Sequence, residues 1–151
     1  MCDALRRTQL AEARRSVRVA LTAVQQALSG WATATSSGRA ALLALSNDAL
    51  SHRYLPHHAL GPLQAIPGLV EAGQRKLAAR VQAHVRVLAG CVDALRGCSA
   101  SLTAAQDVGS QQGAALTVFR CLSCTGIATL LGSVAAMHAQ QLEVGAEVRG
   151  G

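Results

Sequence analysis

The feature that most constrains this chain is an unbroken alternation of four- and three-residue steps between small or apolar positions near its start. The steps connect Val17, Leu21, Val24, Leu28, Trp31, Thr35, Gly38, Leu42, Leu45 and Ala49. Such a heptad seam is typical of a helix that packs along a neighbouring helix. Glycine weakens a helix by about 1 kcal/mol relative to alanine, but the pattern continues past Gly30 and Gly38. It predicts one helix from about residue 4 to about residue 51.

A second seam follows with the same alternation. It connects Leu77, Val81, His84, Leu88, Cys91, Leu95, Cys98, Leu102 and Ala105, and it predicts a helix over about 69–106. Between the two seams lies YLPHHALGPLQAIPGL, which contains all three prolines of the chain. Because proline is excluded from helix interiors and tolerated at helix starts, residues 54–68 are predicted to be a joint. Within it, Leu63, Ile66 and Leu69 are spaced three apart, and we expect them to fasten the turn onto the hairpin.

The remaining sequence predicts a loop and a third helix. DVGSQQG, residues 107–113, is polar and glycine-rich, and an apolar run predicts a helical segment over about 114–145, with Ser123 or Thr125 as a cap for its later part. Aromatic residues make up only 2% of the chain, so the core is built from Ala, Leu and Val. At 151 residues the chain is expected to form one domain, 1–151. The predicted fold is all-α: a long antiparallel, coiled-coil-like helical hairpin with a third C-terminal helix packed back on it.

The formal net charge of +6 permits contact with nucleic acid or with an acidic protein. The basic residues concentrate near the start of each long helix, where a solvated helix face is the alternative interpretation. The sequence offers no row of aromatic side chains on which single-stranded bases could stack. We therefore expect nucleic acid to be only an indirect partner.

The pair Cys121 and Cys124, in CLSC, is the weak candidate for a metal site. Zinc requires four ligands, and His57 with His58 could complete the set, but adjacent histidines point in different directions. The sequence favours buried thiols and predicts no metal and no cofactor. Neither a phosphate-binding loop nor a pair of catalytic carboxylates is present. The chain is therefore predicted not to be an enzyme and to have no catalytic residue.

Two targeting alternatives remain open in the sequence. Residues Cys121 to Leu142 carry no Asp, Glu, Lys or Arg, and this length could cross a bilayer. Its many Gly, Ser, Thr and Gln residues disfavour a membrane anchor, which stays the less favoured alternative. The Arg-rich start permits an organelle transit peptide, although Asp3 and Glu12 depart from that pattern.

Several segments occur in an order that resembles the family of AAA-ATPase-interacting ribosome maturation factors. They are AVQQALSGW (23–31), LLALSNDAL (42–50), PLQAIPGL (62–69), Lys76 with Leu77, and FRCLSCTGIATLLGSVAAMHAQQL (119–142). The LSN segment and the PLQAIPGL turn carry most of the resemblance. The third helix departs from the family pattern, because it contains Gly132 and Ser133 and lacks the expected aromatic and charged residues.

The resemblance implies a non-catalytic adaptor of an AAA-type ATPase complex that acts in maturation of the large ribosomal subunit. It also implies a second small helical protein as a partner, and a cytoplasmic or nuclear location. The candidates for partner binding or for the joint are Trp31, Leu42, Leu45, Leu63, Ile66, Leu69 and Phe119. The alternative is a generic coiled-coil subunit of another intracellular assembly.

Overall fold

The computed structural model describes residues 2–57, 60–111, 117–119 and 122–147. Its long elements are α1 (Cys2–Tyr54), α2 (Leu69–Gln111) and α3 (Cys124–Glu147). Short 3-10 helices at Leu55–His57 and Gly61–Ala65 lie between α1 and α2, and strands β1 (Thr117–Phe119) and β2 (Leu122–Ser123) precede α3. The predicted all-α class is confirmed, with one short strand pair in the described residues.

The chain, expected from its length to form one domain, groups into two compact units, which are described separately. The hairpin unit is Thr33–Asp93, and the bundle unit consists of Met1–Ala32 and Ala94–Gly151. The hairpin unit contains the end of α1, the joint and the first part of α2. The bundle unit contains the first part of α1, the end of α2, the strand pair and α3.

Helix boundaries differ from the sequence expectations mainly before α3. The helical segment expected from about residue 114 begins only at Cys124, because Thr117–Phe119 pairs antiparallel with Leu122–Ser123. The sequence TVF consists of β-branched and aromatic residues, which favour strands. Ser123 then caps α3, since its Oγ accepts a hydrogen bond of 3.1 Å from the Gly126 amide. Helix α2 also continues to Gln111, into the region expected to be a loop.

The joint of the hairpin unit ends in a tight turn encoded by the sequence IPGL. The Leu69 amide donates to the Ile66 carbonyl at 3.4 Å, and Gly68 between them has a φ of +74°. Proline at the second position and a glycine with positive φ at the third fit a type II β-turn. The Ala72 amide then donates to the Gly68 carbonyl at 2.9 Å, which begins α2.

The leucines and isoleucine of the joint lie partly at the surface, and their fastening of the turn stays a prediction. Leu63, Ile66 and Leu69 are 52%, 50% and 36% exposed. Leu55 makes a close contact with α2, because a Cβ atom on Gly73 would lie only 2.8 Å from Leu55 Cδ2. The absent side chain at Gly73 is therefore what lets Leu55 pack against α2.

The pairing within the hairpin unit is antiparallel. Asp48 of α1 contacts Arg80 and His84 of α2, whereas Gly38, earlier in α1, lies beside Cys91, later in α2. The residue numbers of the partners on α2 therefore increase as those on α1 decrease. The seam predicted for α2 is confirmed, since each of its positions is half-buried or buried.

The seam predicted for α1 is wrong at every second position. Leu21, Leu28 and Leu42 are 41%, 38% and 54% exposed, and Thr35 and Ala49 are exposed as well. The buried positions lie one residue earlier, at Ala20, Ala27, Ala34, Ala41 and Asp48. The distance between packed helices depends on the side chains at the contact. A single methyl group therefore allows a closer approach than leucine, and the leucines are left at the flank.

The core of the bundle unit combines this alanine-rich stripe with residues from the other two helical segments. Its members are Ala13, Val17, Ala20, Val24, Ala27, Leu102, Ala105, Cys124, Ile127, Leu131 and Ala135. Glycines again mark close approaches. A Cβ on Gly30 would lie 3.0 Å from Cys98 Sγ, and one on Gly132 would lie 2.9 Å from Gln106 Nε2. Helix α3 thus packs back on the other helices of this unit.

The positive φ of Gly68 predicts that Gly68→Ala destabilises the protein by about 1–2 kcal/mol, since a Cβ atom disfavours the left-handed region. Gly90 is the matched control, because it lies in α2 of the same unit with no neighbour within 4 Å of an added Cβ. Gly90→Ala should stabilise by about 0.5–1 kcal/mol through helix propensity. Urea unfolding of the full-length variants measures both. Equal effects of the two substitutions would contradict the turn geometry.

The close approach at Gly30 predicts an interaction between two substitutions. Gly30→Ala adds helix propensity of about 0.5–1 kcal/mol, but its methyl group crowds Cys98 Sγ. In a Cys98→Ala background the crowding is removed. Gly30→Ala should then raise the free energy of unfolding by about 0.5–1 kcal/mol more than it does in the natural Cys98 background, because residues in contact show non-additive effects. Additive changes in the free energy of unfolding in this double-mutant cycle would show that an alanine at position 30 does not clash with the Cys98 thiol.

Candidate functional site

The predicted partner-binding residues fall in different environments. In the hairpin unit Leu42, Leu63 and Ile66 are each at least 50% exposed, Leu69 is at the border of exposure, and Leu45 is half-buried in the seam. In the bundle unit Trp31 is half-buried. Phe119 lies in β1, and its side chain is outside the described part of the structure. Partner binding by these residues stays a prediction.

Trp31 has a contact inside the bundle unit that the sequence did not indicate. Its ring meets the ring of His138 edge to face, with centroids 4.6 Å apart and planes at 90°. His138 is 9% exposed, and its Nδ1 lies 2.9 Å from the Val134 carbonyl oxygen. Because a carbonyl oxygen only accepts, Nδ1 donates this bond. Aromatic pairs in this geometry add about 0.5–1.5 kcal/mol beyond their buried area, so the tryptophan stabilises the unit itself.

The thiols and histidines considered for a metal site are only partly described. Cys124 is fully buried with a free thiol, whereas Cys121 and His58 lie outside the described residues. His57 is exposed in the first 3-10 helix. Within residues 2–57, 60–111, 117–119 and 122–147, no group of three or more His, Cys, Asp or Glu side chains could hold a metal ion.

A buried polar cluster in the hairpin unit is the most distinctive arrangement of side chains. Oδ2 of Asp48 accepts from Arg80 Nε at 3.0 Å and lies 3.1 Å from His84 Nε2. The Asp48 side chain is 8% exposed, whereas those of Arg80 and His84 are 57% and 24% exposed. One carboxylate oxygen therefore faces two nitrogen groups within an apolar seam.

This cluster fixes the register of the hairpin. A buried carboxylate is unfavourable without hydrogen-bonding partners, so any sliding that separates Asp48 from α2 is penalised. A single polar seam residue sets register in coiled coils in the same way. The sequence contained the signal, because Ala13, Ala20, Ala27, Ala34 and Ala41 recur every seven residues and Asp48 is the next member.

The cluster does not extend to a thiol nucleophile. The closest thiol along the His84 face of α2 is Cys91, seven residues on and about 10 Å along the helix axis. Cys91 lies beside Gly38, where its Sγ would be 3.9 Å from an added Cβ. The geometry of Asp48, Arg80 and His84 therefore supports a structural role.

A shallow depression of about 320 Å³ lies on α1 in the bundle unit, and its lining residues are Arg18, Val19, Thr22, Ala23 and Gln26. All of these residues belong to one helix, so the described part of the chain supplies no second wall that could enclose a small molecule. Small-molecule sites are normally clefts or cavities that bury most of the ligand, and this surface lacks that property.

Comparisons with protein-family models, with curated proteins and with solved structures find no match to this chain. The resemblance to AAA-ATPase-interacting ribosome maturation factors therefore stays a prediction from the sequence. Among the described residues, no helix combines the length and hydropathy needed to span a membrane. Cys121, the first residue of the segment considered as a membrane anchor, lies outside the described residues.

The register role of Asp48 predicts unequal effects when its partners are removed. His84→Ala leaves the buried carboxylate with only the exposed side chain of Arg80 as a partner, and should destabilise by about 1–3 kcal/mol. Arg80→Ala should have a smaller effect of about 0–1 kcal/mol, since that side chain is largely in solvent. Arg86→Ala, an exposed arginine of the same helix, is the control and should change stability by about 0.5 kcal/mol or less.

The double variant Asp48→Ala/His84→Ala completes the test of this cluster. Replacing the carboxylate extends the alanine repeat and removes the buried charge. The double variant should therefore be more stable than the sum of the separate effects of Asp48→Ala and His84→Ala predicts. Urea unfolding of each full-length variant gives the free energies. Strict additivity would show that Asp48 and His84 do not stabilise each other.

Proposed function

We propose that this protein is a non-catalytic helical adaptor, a subunit of an AAA-type ATPase complex that acts in maturation of the large ribosomal subunit. The observation that carries the adaptor role is the number of large apolar side chains at the surface of the hairpin unit. Those that are exposed are Leu42, Leu43, Leu50, Tyr54, Leu63, Ile66, Leu69, Val85 and Val87. Exposed apolar surface of this kind is typical of protein–protein contacts.

The specific assembly rests on the sequence resemblance. LLALSNDAL and PLQAIPGL, the segments that carry most of it, both lie in the hairpin unit and include Leu42, Leu43, Leu50, Leu63, Ile66 and Leu69. Surface exposure of these residues supports a partner-binding role for them. Under this proposal the ATP chemistry belongs to the partner, and a second small helical protein belongs to the same complex.

A generic coiled-coil subunit of another intracellular assembly is the second candidate. Heptad seams with small residues occur in many helical assemblies and do not by themselves select an ATPase. The exposed residues Leu21 and Leu28 beside the α1 seam of the bundle unit favour a further helix as neighbour in either case.

Affinity purification of the tagged full chain, followed by mass spectrometry, tests the proposed function. We expect an AAA-type ATPase, a second small helical protein and large-subunit precursors in the same fraction, and we expect the chain to change the ATPase rate of that partner. The tag alone is the control. Recovery of a different assembly without any AAA-type ATPase would favour the coiled-coil alternative and contradict the specific proposal.

A further inference from the structure

Helix α1 carries a second apolar stripe in the hairpin unit, separate from its heptad seam. Leu43, Leu50 and Tyr54 are 63%, 52% and 51% exposed. At 100° per residue, their spacings of seven and four residues place them within about 40° of one another, on the side opposite the buried seam. Their length along the axis is about 16 Å at 1.5 Å per residue. We call these three residues the outer stripe.

Two hydroxyl groups beside the outer stripe donate hydrogen bonds within the helix itself. Ser46 Oγ donates to the Leu42 carbonyl at 3.0 Å, and Ser51 Oγ donates to the Asn47 carbonyl at 2.8 Å. A hydroxyl group that donates to the backbone carbonyl four residues earlier has its hydrogen-bond donor satisfied within the helix. Covering the stripe therefore leaves these two hydroxyl donors satisfied, which removes a common penalty of burial.

The exposed charges that α1 itself carries near the outer stripe have one sign. Exposed Arg39 and Arg53 lie near its two ends, fourteen residues and about 21 Å apart along the axis. Between Thr33 and Tyr54 the sequence contains one acidic residue, Asp48, and its carboxylate is turned into the seam. An approaching surface thus meets an apolar row with a positive charge near each end.

This charge pattern excludes a second copy of the chain as the best occupant. An antiparallel copy centred on the stripe would bring Arg39 of one molecule against Arg53 of the other. A parallel copy would place each arginine at the same height along the axis as its equivalent. Both arrangements place like charges together, which is unfavourable at an interface.

We propose that the outer stripe binds an amphipathic helix of another protein, whose apolar row covers Leu43, Leu50 and Tyr54 and whose acidic side chains, about 21 Å apart, pair with Arg39 and Arg53. Exposed Asn47 lies within the stripe, where a polar side chain can select the register of the bound helix. This inference rests on the proposed adaptor function, and it adds the surface and the chemistry of the partner.

Selection from a displayed library tests the inference directly. The library is a stable single-helix scaffold with a fixed leucine row and randomised flanking positions, and the target is the immobilised full chain. The expected result is enrichment of Asp or Glu at positions thirteen to fifteen residues apart. A synthetic enriched peptide, labelled for fluorescence anisotropy, is then the probe for variants of the protein.

An exposed leucine outside the outer stripe provides the matched control. Leu43→Ser and Leu50→Ser should each weaken binding of the probe about tenfold, and Arg39→Glu should weaken it at low salt. Leu130→Ser should leave binding within about twofold, because Leu130 is 58% exposed but lies on α3, in the bundle unit. Circular dichroism confirms that each variant keeps its helices.

The outcomes separate this inference from the proposed function. No enrichment, enrichment without acidic residues, or equal effects of Leu130→Ser and Leu43→Ser would each overturn the outer stripe as a site for an acidic helix. Self-association abolished by Leu43→Ser, measured by sedimentation, would also overturn it. Purification of an AAA-type ATPase complex that is unaffected by Leu43→Ser would keep the adaptor function and reject only this surface.

Discussion

The structure depends on how closely its helices approach through small residues. At alternate seam positions α1 presents alanine, and Gly30 and Gly38 leave room for the thiols of Cys98 and Cys91. Alanine and glycine contribute little apolar area, so the stabilisation comes from short distances and many contacts rather than from large side chains. The strong helix propensity of alanine also stabilises the long helices, and this offsets part of the apolar area that the small side chains do not bury.

This close packing decides which side chains remain outside. Leucines at the flanks of an alanine seam cannot enter it without separating the helices, so Leu21, Leu28 and Leu42 stay partly in solvent. A thin seam also gives weak control of register, since alanine positions are alike. In the hairpin unit the buried carboxylate of Asp48 supplies that control through Arg80 and His84. The same packing thus explains both the polar cluster and the apolar surface from which the adaptor function is proposed.

Sequence patterns predicted the hairpin better than the residues near α3. The prolines of the joint and the α2 seam were predictable because they depend on local backbone chemistry and on one apolar face. The strand pair before α3 was not predicted, since two or three residues are too few to show a period and a strand pair depends on a contact between segments. The contact between Trp31 and His138 joins residues on different helices, and spacing within one helix could not indicate it.

By itself the sequence determined the fold class, the two long helices and the joint between them, because heptad spacing, alanine content and proline position act locally along the chain. It also determined that the surface is basic. It took the packing of the second helix to place the α1 seam at Ala34, Ala41 and Asp48 rather than at Thr35, Leu42 and Ala49. Two seams one residue apart have nearly the same periodicity, and the choice between them depends on the distance at which a second helix can pack. That distance also decided that Leu43, Leu50 and Tyr54 face outward.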